Sequence, residues 1–388
     1  AAAKRISGVS VQGGKYVSVR GLGDRYSLTT LNGAEIPSLD PDKNAVQMDM
    51  FPSNIIENIK VTKTLTPNIP ASATGGYIDI VTRDFPEKFT LQYSSSFEYN
   101  TISNFKNDFL SYDGSKTDWL GYDNGTRDLP SEVSDEISIA ESSNEDFIGV
   151  SYYYSQYPDN ALSKYNAAIN GFNKNMDYKT KTSFLNHSHK LAVGDQKKLF
   201  GKSVGYLIAI GYAQKFRAYD GETFDDEGNP VGGIHAYYQD ETTSSDYKLS
   251  EDYGSESVLI TSLANLNLKL NENHKFGLTF IKNQSGNAIT RYRDGIHPYD
   301  TDNIQVRNLS YVERGFTTGQ LSGKHVFGEK KNILDWRSSV TQSIQDEPDL
   351  RFFKNRYTLA PGTQDTTYRM PGNDAPVRFY RYMKEINI

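Results

Sequence analysis

The run Lys88–Asn100, KFTLQYSSSFEYN, alternates between two kinds of side chain along its whole length. Every second residue from Phe89 to Tyr99 is aromatic, aliphatic or serine, and the residues between them are polar. A period of two places the two sets on opposite faces of a β-strand. The run is long enough to cross a bilayer at a tilt, which takes about 9–11 residues. It also suits a soluble sandwich, so the spacing of later runs has to decide.

Seven further strands are predicted after this run. They are expected at Thr180–Val193, Val204–Tyr212, Ser257–Leu270, from Lys275 onward, within Ile304–Phe327, at Ile333–Gln345 and at Val377–Ile388. On the strand that starts at Lys275, we expect Phe276, Leu278 and Phe280 to face lipid.

The connections between these strands alternate in length. Long loops are expected at Thr101–Lys179, Arg217–Glu256, Gln284–Asn303 and Asp346–Pro376, and short turns at Gly194–Ser203, Asn271–Asn273 and Gly328–Asn332. Transmembrane barrels have long extracellular loops and short periplasmic turns. Soluble sandwiches show no such asymmetry, so the alternation predicts a membrane barrel.

Composition fits this prediction and excludes several other classes. The sequence has no run of 18 apolar residues, which excludes a helical membrane span. Its 27 tyrosines and 19 phenylalanines suit the aromatic girdles of a barrel, although a tyrosine-rich soluble β-protein is the alternative. The absence of cysteine rules out disulfides, thiolate metal sites and a catalytic thiol. The net charge of −6 argues against nucleic acid as the main partner.

The segment Ile55–Arg83 has a different pattern. Two β-type runs, Glu57–Thr64 and Tyr77–Thr82, flank a turn rich in proline, serine, alanine and glycine. Gly75-Gly76 precedes the second run, which suits a turn that needs either positive φ or close backbone approach.

This segment resembles the end of the plug domain of TonB-dependent outer-membrane receptors. In that family an I-E-x-I-x-V-x-K strand leads through a loop to G-G-x-I-x-I-x-T. The matching residues are Ile56, Glu57, Ile59, Val61, Lys63, Gly75, Gly76, Ile78, Ile80 and Thr82. Upstream, Lys15–Gly23 resembles the family's R-G strand and Tyr26–Gly33 its V-L-V-D-G strand, with Asn32-Gly33 as a tight turn.

The resemblance implies a large antiparallel transmembrane β-barrel with a small α/β plug domain in its lumen. We predict the C-terminal portion of the plug in residues 1–83 and an N-terminal portion of the barrel in 84–388. Eight strands are fewer than the roughly 22 of plugged transporters, so we expect a larger barrel. A signal peptide is expected upstream, and an energy-coupling box there would support transport, while its absence would support a scaffold role. Ala1–Ser7 is expected to end a plug helix, and Ser53 to cap a short helical turn.

In the family, two plug cations form a lock with barrel glutamates, and here these would be Arg20 and Lys63. A guanidinium pressed against a lumen wall needs carboxylate partners, because an unpaired buried charge is too costly. The partner glutamates are expected after Ile388. The alternative for Arg20 is an exposed strand arginine.

The segment Ala34–Met50 reads as a plug loop, which in the family faces the ligand. Asp40, Asp42 and Asn44 mimic the first half of a calcium loop. Ala45 stands where such a loop needs glycine, and no glutamate ends it, so EF-hand binding is not expected.

No enzyme motif is present. The sequence lacks H-E-x-x-H, G-x-S-x-G and Walker patterns, and Gly21-Leu22-Gly23 lacks the third glycine of a dinucleotide fingerprint. His187 and His189 are either a metal pair or two polar strand residues near a barrel rim. We predict no enzyme activity, no cofactor and no metal.

The resemblance implies energised uptake of an extracellular ligand across the outer membrane of a Gram-negative bacterium. The expected partners are a TonB-type energy-transducing complex and outer-membrane lipid with lipopolysaccharide. A surface lipoprotein or other outer-membrane subunits are further candidates. The alternative function is a non-transporting, plugged scaffold subunit of a larger outer-membrane assembly. Receptors for siderophores, cobalamin, glycans and peptides share this frame, so the ligand is not predicted.

Overall fold

A computed structural model gives the fold. It describes residues 8–12, 16–22, 26–38, 46–51, 55–64, 66–67, 69–131, 133, 167, 170–220, 234–236, 248–296, 303–328, 332–359, 366–369 and 376–388. Within these residues, no helix is long and apolar enough to cross a membrane.

The described residues are mostly in β-strands, numbered here in chain order. They are β1 Val9–Gln12, β2 Tyr16–Val19, β3 Ser27–Leu31, β4 Ala34–Glu35, β5 Ile56–Thr62, β6 Gly76–Thr82, β7 Thr90–Glu98, β8 Phe109–Ser111, β9 Lys179–Lys181, β10 Asn186–Leu199, β11 Lys202–Tyr219, β12 Ile234–Ala236, β13 Lys248–Asn271, β14 His274–Ile296, β15 Asn303–Phe327, β16 Asn332–Leu359, β17 Thr366–Arg369 and β18 Val377–Asn387. Short 3-10 helices lie at Met48–Met50 and Asp118–Leu120.

Ten strands form one large sheet in which every described pairing is antiparallel. Its order is β17-β16-β15-β14-β13-β11-β10-β7, while β12 pairs with β13 and β18 pairs with β16. The predicted large antiparallel sheet is therefore confirmed.

A separate four-stranded sheet is built from the N-terminal segment, in the order β4-β3-β6-β5. Strands β3 and β6 are parallel, and the other two pairings are antiparallel. Asn32 and Gly33 connect β3 to β4 with φ angles of 52° and 80°. Positive φ at both residues is the geometry of a type I′ turn, which Asn-Gly favours. The helical residues expected in the plug, Ala1–Ser7 and Ser53, lie outside the described residues.

The small sheet packs on one face of the large sheet, which we call the inner face. Its core joins Leu31, Ile55 and Ile80 to residues of the large sheet, and these are Leu207, Ala209, Leu263, Ile281 and Phe316. The opposite face, which we call the outer face, exposes apolar side chains in the halves of the strands on the side of the Phe200-Gly201 turn, which we call the lower halves. Phe276, Leu278 and Phe280, which the sequence predicted to face lipid, are all exposed on this face, and their contact with lipid stays a prediction.

Several strands are longer than predicted, because glycine and proline lie inside strands rather than in turns. The turn after β10 is confined to Phe200-Gly201, so Gly194–Ser203 is mostly strand and that prediction was wrong. The predicted loop Gln284–Asn303 is also mostly strand, since β14 continues to Ile296. The first part of the predicted loop Asp346–Pro376 is strand as far as Leu359. Within this strand, a β-bulge at Asp349, with φ 55°, absorbs the irregularity that the sequence showed as a turn.

Candidate functional site

Residues 8–83, which we call the plug segment after the prediction above, contact the inner face through an apolar cluster near the centre of that face. Phe316 on β15 is 1% exposed, and its ring meets that of Phe51 edge to face, with centroids 5.4 Å apart. Leu263 and Ile281 complete this contact from the neighbouring strands. Such aromatic pairs contribute roughly 0.5–1.5 kcal/mol beyond the area that they bury.

Side-chain amides of the large sheet surround this contact and hydrogen-bond to plug backbone. Asn283 Nδ2 donates to the Met50 carbonyl at 2.6 Å. Gln320 Nε2 donates to the Leu31 carbonyl at 2.9 Å, and its Oε1 accepts from Asn32 Nδ2 at 3.0 Å. These bonds join neutral groups, and each contributes roughly 0.5–1.5 kcal/mol net. No ion pair joins the plug segment to the large sheet among the pairs formed by two described residues.

The Asn32-Gly33 turn also hydrogen-bonds to β6 within the small sheet. Asn32 Oδ1 accepts from the backbone N–H and the hydroxyl of Thr82, at 2.9 and 3.1 Å. The N–H of Gly33 donates to Asp79 Oδ1 at 2.7 Å. The guanidinium of Arg337, on β16, occupies the space that a Cβ on Gly33 would need. The turn therefore requires glycine for its backbone conformation and also abuts the large sheet.

The segment after β6 runs along the inner face over two glycines. The ring of Phe85 lies where a side chain on Gly205 would be, and Pro86 lies over Gly194. Asn265 Nδ2 donates to the Arg83 carbonyl at 3.2 Å, and Asn267 Nδ2 donates to Asp84 Oδ1 at 3.0 Å. These contacts lie on both sides of residue 83, where we place the domain boundary, and the boundary itself stays a prediction.

Gly75 and Gly76 lie where backbones approach closely, and neither has positive φ. The N–H of Gly75 donates to the Tyr26 carbonyl at 2.6 Å. A Cβ on Gly76 would lie 2.8 Å from Cβ of Val19. Of the two reasons that the sequence offered for these glycines, close approach is therefore the one that applies.

The two predicted lock cations, Arg20 and Lys63, both lie near Gly8. The backbone N–H of Arg20 donates to the Gly8 carbonyl at 2.8 Å, and Lys63 Nζ lies 3.5 Å from where a Cβ on Gly8 would be. Arg20 is exposed, directly after β2, with φ 57°. Its side chain pairs with no described carboxylate, and Lys63 is half-buried. The lock with barrel glutamates stays a prediction.

Of the other predicted site residues, Asp40, Asp42 and Asn44 lie outside the described residues. His187 and His189 lie on the outer face among aromatic rings, where His187 stacks on Tyr212 at 5.8 Å. Tyr93 OH lies 3.0 Å from His189 Nδ1. The described residues contain no group of three or more histidine, aspartate or glutamate side chains that could hold a metal.

Further along the same strands, the inner face carries a second polar cluster. Glu251 is fully buried and accepts from Arg293 Nε at 2.5 Å, and it also accepts from Tyr219 OH. The rings of Tyr219 and Tyr253 stack 4.7 Å apart, with Arg291 above the Tyr253 ring. Arg291 is eight residues beyond Asn283 on β14, roughly 26 Å along the strand at 3.3 Å per residue. This cluster therefore lines the inner face beyond the plug.

The outer face at this level is covered by the described part of the first long loop. Arg127 is 1% exposed and makes a bidentate ion pair with Asp118, at 2.8 and 2.7 Å. Its guanidinium carbon lies 4.1 Å from the centroid of Tyr311 on β15. Burial raises the pKa of Tyr112, whose hydroxyl accepts from Arg127, to about 12. This loop packs on the face opposite the plug, which the sequence did not predict.

Sequence reasoning missed most of the residues that hold the plug. Alternation along β13 places Asn265 and Leu266 on opposite faces, and in the structure Asn265 is buried while Leu266 is exposed. Asn283, Gln320 and Phe316 were not singled out. Their signal is the same alternation: they fall on the side of each strand opposite its exposed apolar residues.

One comparison with known proteins matches only the N-terminal residues, and another aligns with nearly the whole chain. Residues 1–77 match the family model described as TonB-dependent Receptor Plug Domain. The solved structure of the RagAB peptide importer in the "open-open" state aligns with 12% identity and a TM-score of 0.41, covering 98% of this chain and 48% of that one. The structure of the RagAB peptide transporter aligns with 12% identity and a TM-score of 0.42, covering 98% and 49%. The chain thus spans about half the length of these structures. No curated protein matches the sequence.

Proposed function

We propose that this protein, whose residues 1–77 match the TonB-dependent receptor plug model, takes up an extracellular ligand across the outer membrane of a Gram-negative bacterium. Uptake is driven by a TonB-type energy-transducing complex that acts on the plug. The large sheet is the wall of the barrel, its inner face lines the lumen, and its exposed apolar band faces lipid.

The observation that carries this proposal is the way the plug is attached. Its described contacts with the wall are an apolar core and hydrogen bonds between neutral groups. Neutral hydrogen bonds can be exchanged for water at small net cost. A plug held in this way can be displaced by a pulling force without leaving a buried charge unpaired, as opening a path through the lumen requires. The proposed lock of Arg20 and Lys63 with barrel carboxylates would be a separate, charged contact, which would have to be released before the plug moves.

Ligand binding is proposed on the inner face beyond the plug and at the plug loop that contains Asp40, Asp42 and Asn44. The stacked pair Tyr219 and Tyr253, with Arg291 above it, offers an aromatic and cationic surface there. Stacking and cation–π contacts can act on many ligands, so this surface by itself does not identify one.

The orientation is tested by labelling on intact cells. The sequence has no cysteine, so an introduced cysteine adds a single reactive thiol to this part of the protein. We expect a membrane-impermeant maleimide to label Asn124→Cys on intact cells, and Lys198→Cys only after the outer membrane is permeabilised. Labelling of Lys198→Cys on intact cells would refute the proposed orientation.

Transport is tested by genetics. We expect deletion of the receptor and deletion of the TonB-type protein to cause the same growth defect on a panel of siderophores, cobalamin, glycans and peptides. A scaffold subunit would instead lose an outer-membrane assembly when deleted, and the TonB-type deletion would not reproduce that loss.

A further inference from the structure

Two aromatic clusters on the outer face mark the limits of the apolar band. The lower cluster includes Phe276, His325 and Trp336, whose rings lie 5.1 to 6.4 Å apart. The upper cluster is centred on Tyr212 and His187. Outer-membrane barrels carry such girdles at both membrane–water interfaces, on either side of an apolar band roughly 25 Å tall.

The strand register gives the separation of the two clusters. Phe276 pairs with Gly323, which pairs with Trp336. Tyr212 pairs with Ile260, which pairs with Gln284. Phe276 and Gln284 are eight residues apart on β14, so the clusters lie roughly 26 Å apart along the strand. A tilt of 35–45° reduces this to roughly 20 Å across the membrane, about 5 Å less than the height of such a band, so both clusters lie near its edges.

The connection between β7 and β10, which includes the first long loop, extends the upper cluster. Phe184, Phe105 and Tyr99 continue the row of rings from His187, at centroid distances of 6.0, 6.0 and 6.1 Å. All three rings are more than half exposed.

The 3-10 helix Asp118–Leu120 lies at the same level. Its Trp119 carbonyl accepts from Tyr212 OH at 3.2 Å, and Gln284 Nε2 donates to the Gly121 carbonyl at 2.7 Å. The Trp119 side chain is 57% exposed. Exposed aromatic residues at this height meet the region where tryptophan and tyrosine are enriched, because one part of their rings is apolar and another is polar.

We propose that the described part of the connection between β7 and β10, which includes the first long loop, lies against the outer leaflet, with Trp119, Phe105, Phe184 and Tyr99 in the lipid headgroup region. The proposal rests on the proposed barrel function, since it places the apolar band in a membrane. The loop then anchors the upper edge of the barrel wall, and its aromatic residues are unavailable for a ligand in the lumen.

The test uses the two tryptophans of this sequence, Trp119 and Trp336. The receptor, Trp119→Phe and Trp336→Phe are reconstituted in phosphatidylcholine vesicles with bromine near the carboxyl end or near the methyl end of the acyl chains. The emission of the unsubstituted protein minus that of a variant is the emission of the tryptophan that the variant lacks. Native folding of each variant is verified by the heat-dependent shift of the barrel in gel electrophoresis.

We expect the Trp119 emission to be quenched by bromine near the carboxyl end more than by bromine near the methyl end. Trp336, in the lower girdle, is expected to be quenched as well. Quenching of Trp336 with none of Trp119, together with full quenching of Trp119 by aqueous iodide, would overturn the loop proposal and leave the barrel intact. Lack of bromine quenching at both positions would instead refute the membrane barrel.

Discussion

Asn283 and Gln284 are consecutive residues of β14, and their side-chain amides hydrogen-bond to structures on opposite faces of the sheet. Asn283 donates to the Met50 carbonyl of the plug, and Gln284 donates to the Gly121 carbonyl of the first long loop. The same strand therefore holds the plug on one side and the loop on the other. A one-residue shift of its register would exchange the two faces.

Loss of the Phe316 ring is expected to loosen the plug. Phe316→Ala removes the edge-to-face contact with Phe51 from a buried site, and such truncations cost about 3–5 kcal/mol. We expect faster amide exchange in residues 26–38 and 46–51, and increased entry of large antibiotics. Phe280→Ala is the control, because its side chain is exposed on the outer face of the neighbouring strand. Equal effects of both substitutions would contradict the assignment of inner and outer faces.

The outer face is tested by placing arginine at adjacent positions of β14. Leu278 is 46% exposed on the outer face, and the adjacent Thr279 lies on the inner face. Leu278→Arg is expected to cost about 2–4 kcal/mol if it lies near the bilayer midplane, and Thr279→Arg much less. The measurement is the yield of folded receptor in vesicles over a urea series. A larger loss of folded barrel for Thr279→Arg would show that the faces are reversed, whereas loosening of the plug alone would not, because Thr279 pairs with Asn265 and Gln320.

Alternation of side chains was enough to predict most strands of the large sheet, because period two is a local property of each strand, while the large antiparallel arrangement was implied by the resemblance. It could not give the strand ends. Gly286 reads as a turn residue, but it lies inside β14, where Gly121 and Tyr311 leave no space for a side chain. The sequence alone does not show this reason, because it depends on where Gly121 of the first long loop lies in the fold.

The residues that hold the plug were predicted only in part, because most of them also depend on contacts between distant parts of the sequence. Gly75, Gly76 and the Asn32-Gly33 turn have local signals in the sequence. Asn283 and Gln320 are 233 and 289 residues away from the carbonyls to which they donate. No local pattern distinguishes such residues from other polar residues on an inner face.

Gly76 is expected to tolerate no larger side chain. In Gly76→Ala, the new Cβ would lie 2.8 Å from Cβ of Val19, and both atoms are fixed to backbone. Overpacking of this kind costs about 1–3 kcal/mol. Gly319→Ala is the matched control, since no atom lies within 4 Å of its added Cβ. Amide exchange of β2 and β6 measures the difference, and equal protection in the two variants would contradict the close approach.

Docking of the first long loop is expected to weaken as pH rises, because of Glu313 on β15. This residue lies beyond the apolar band, level with Gly286, and its carboxyl accepts from the backbone N–H of Asp123. Burial raises the pKa of Glu313 from 4.5 to about 7. Burial also raises the pKa of Asp346, the residue that pairs with Glu313 on β16.

The sign follows from proton uptake. Between about pH 4.5 and 7, the docked state keeps a proton on Glu313 that the undocked, solvated carboxyl has lost. The stability of docking is therefore complete below pH 4.5 and falls as pH rises to about 7, after which Glu313 adds no further change. We expect protection factors of residues 104–128, corrected for the intrinsic pH dependence of exchange, to be lower at pH 8 than at pH 5.5. Glu313→Gln stays neutral and keeps an acceptor for the Asp123 N–H, so its profile should be flatter. A variant with the unchanged pH dependence would show that another group, and not Glu313, controls the loop.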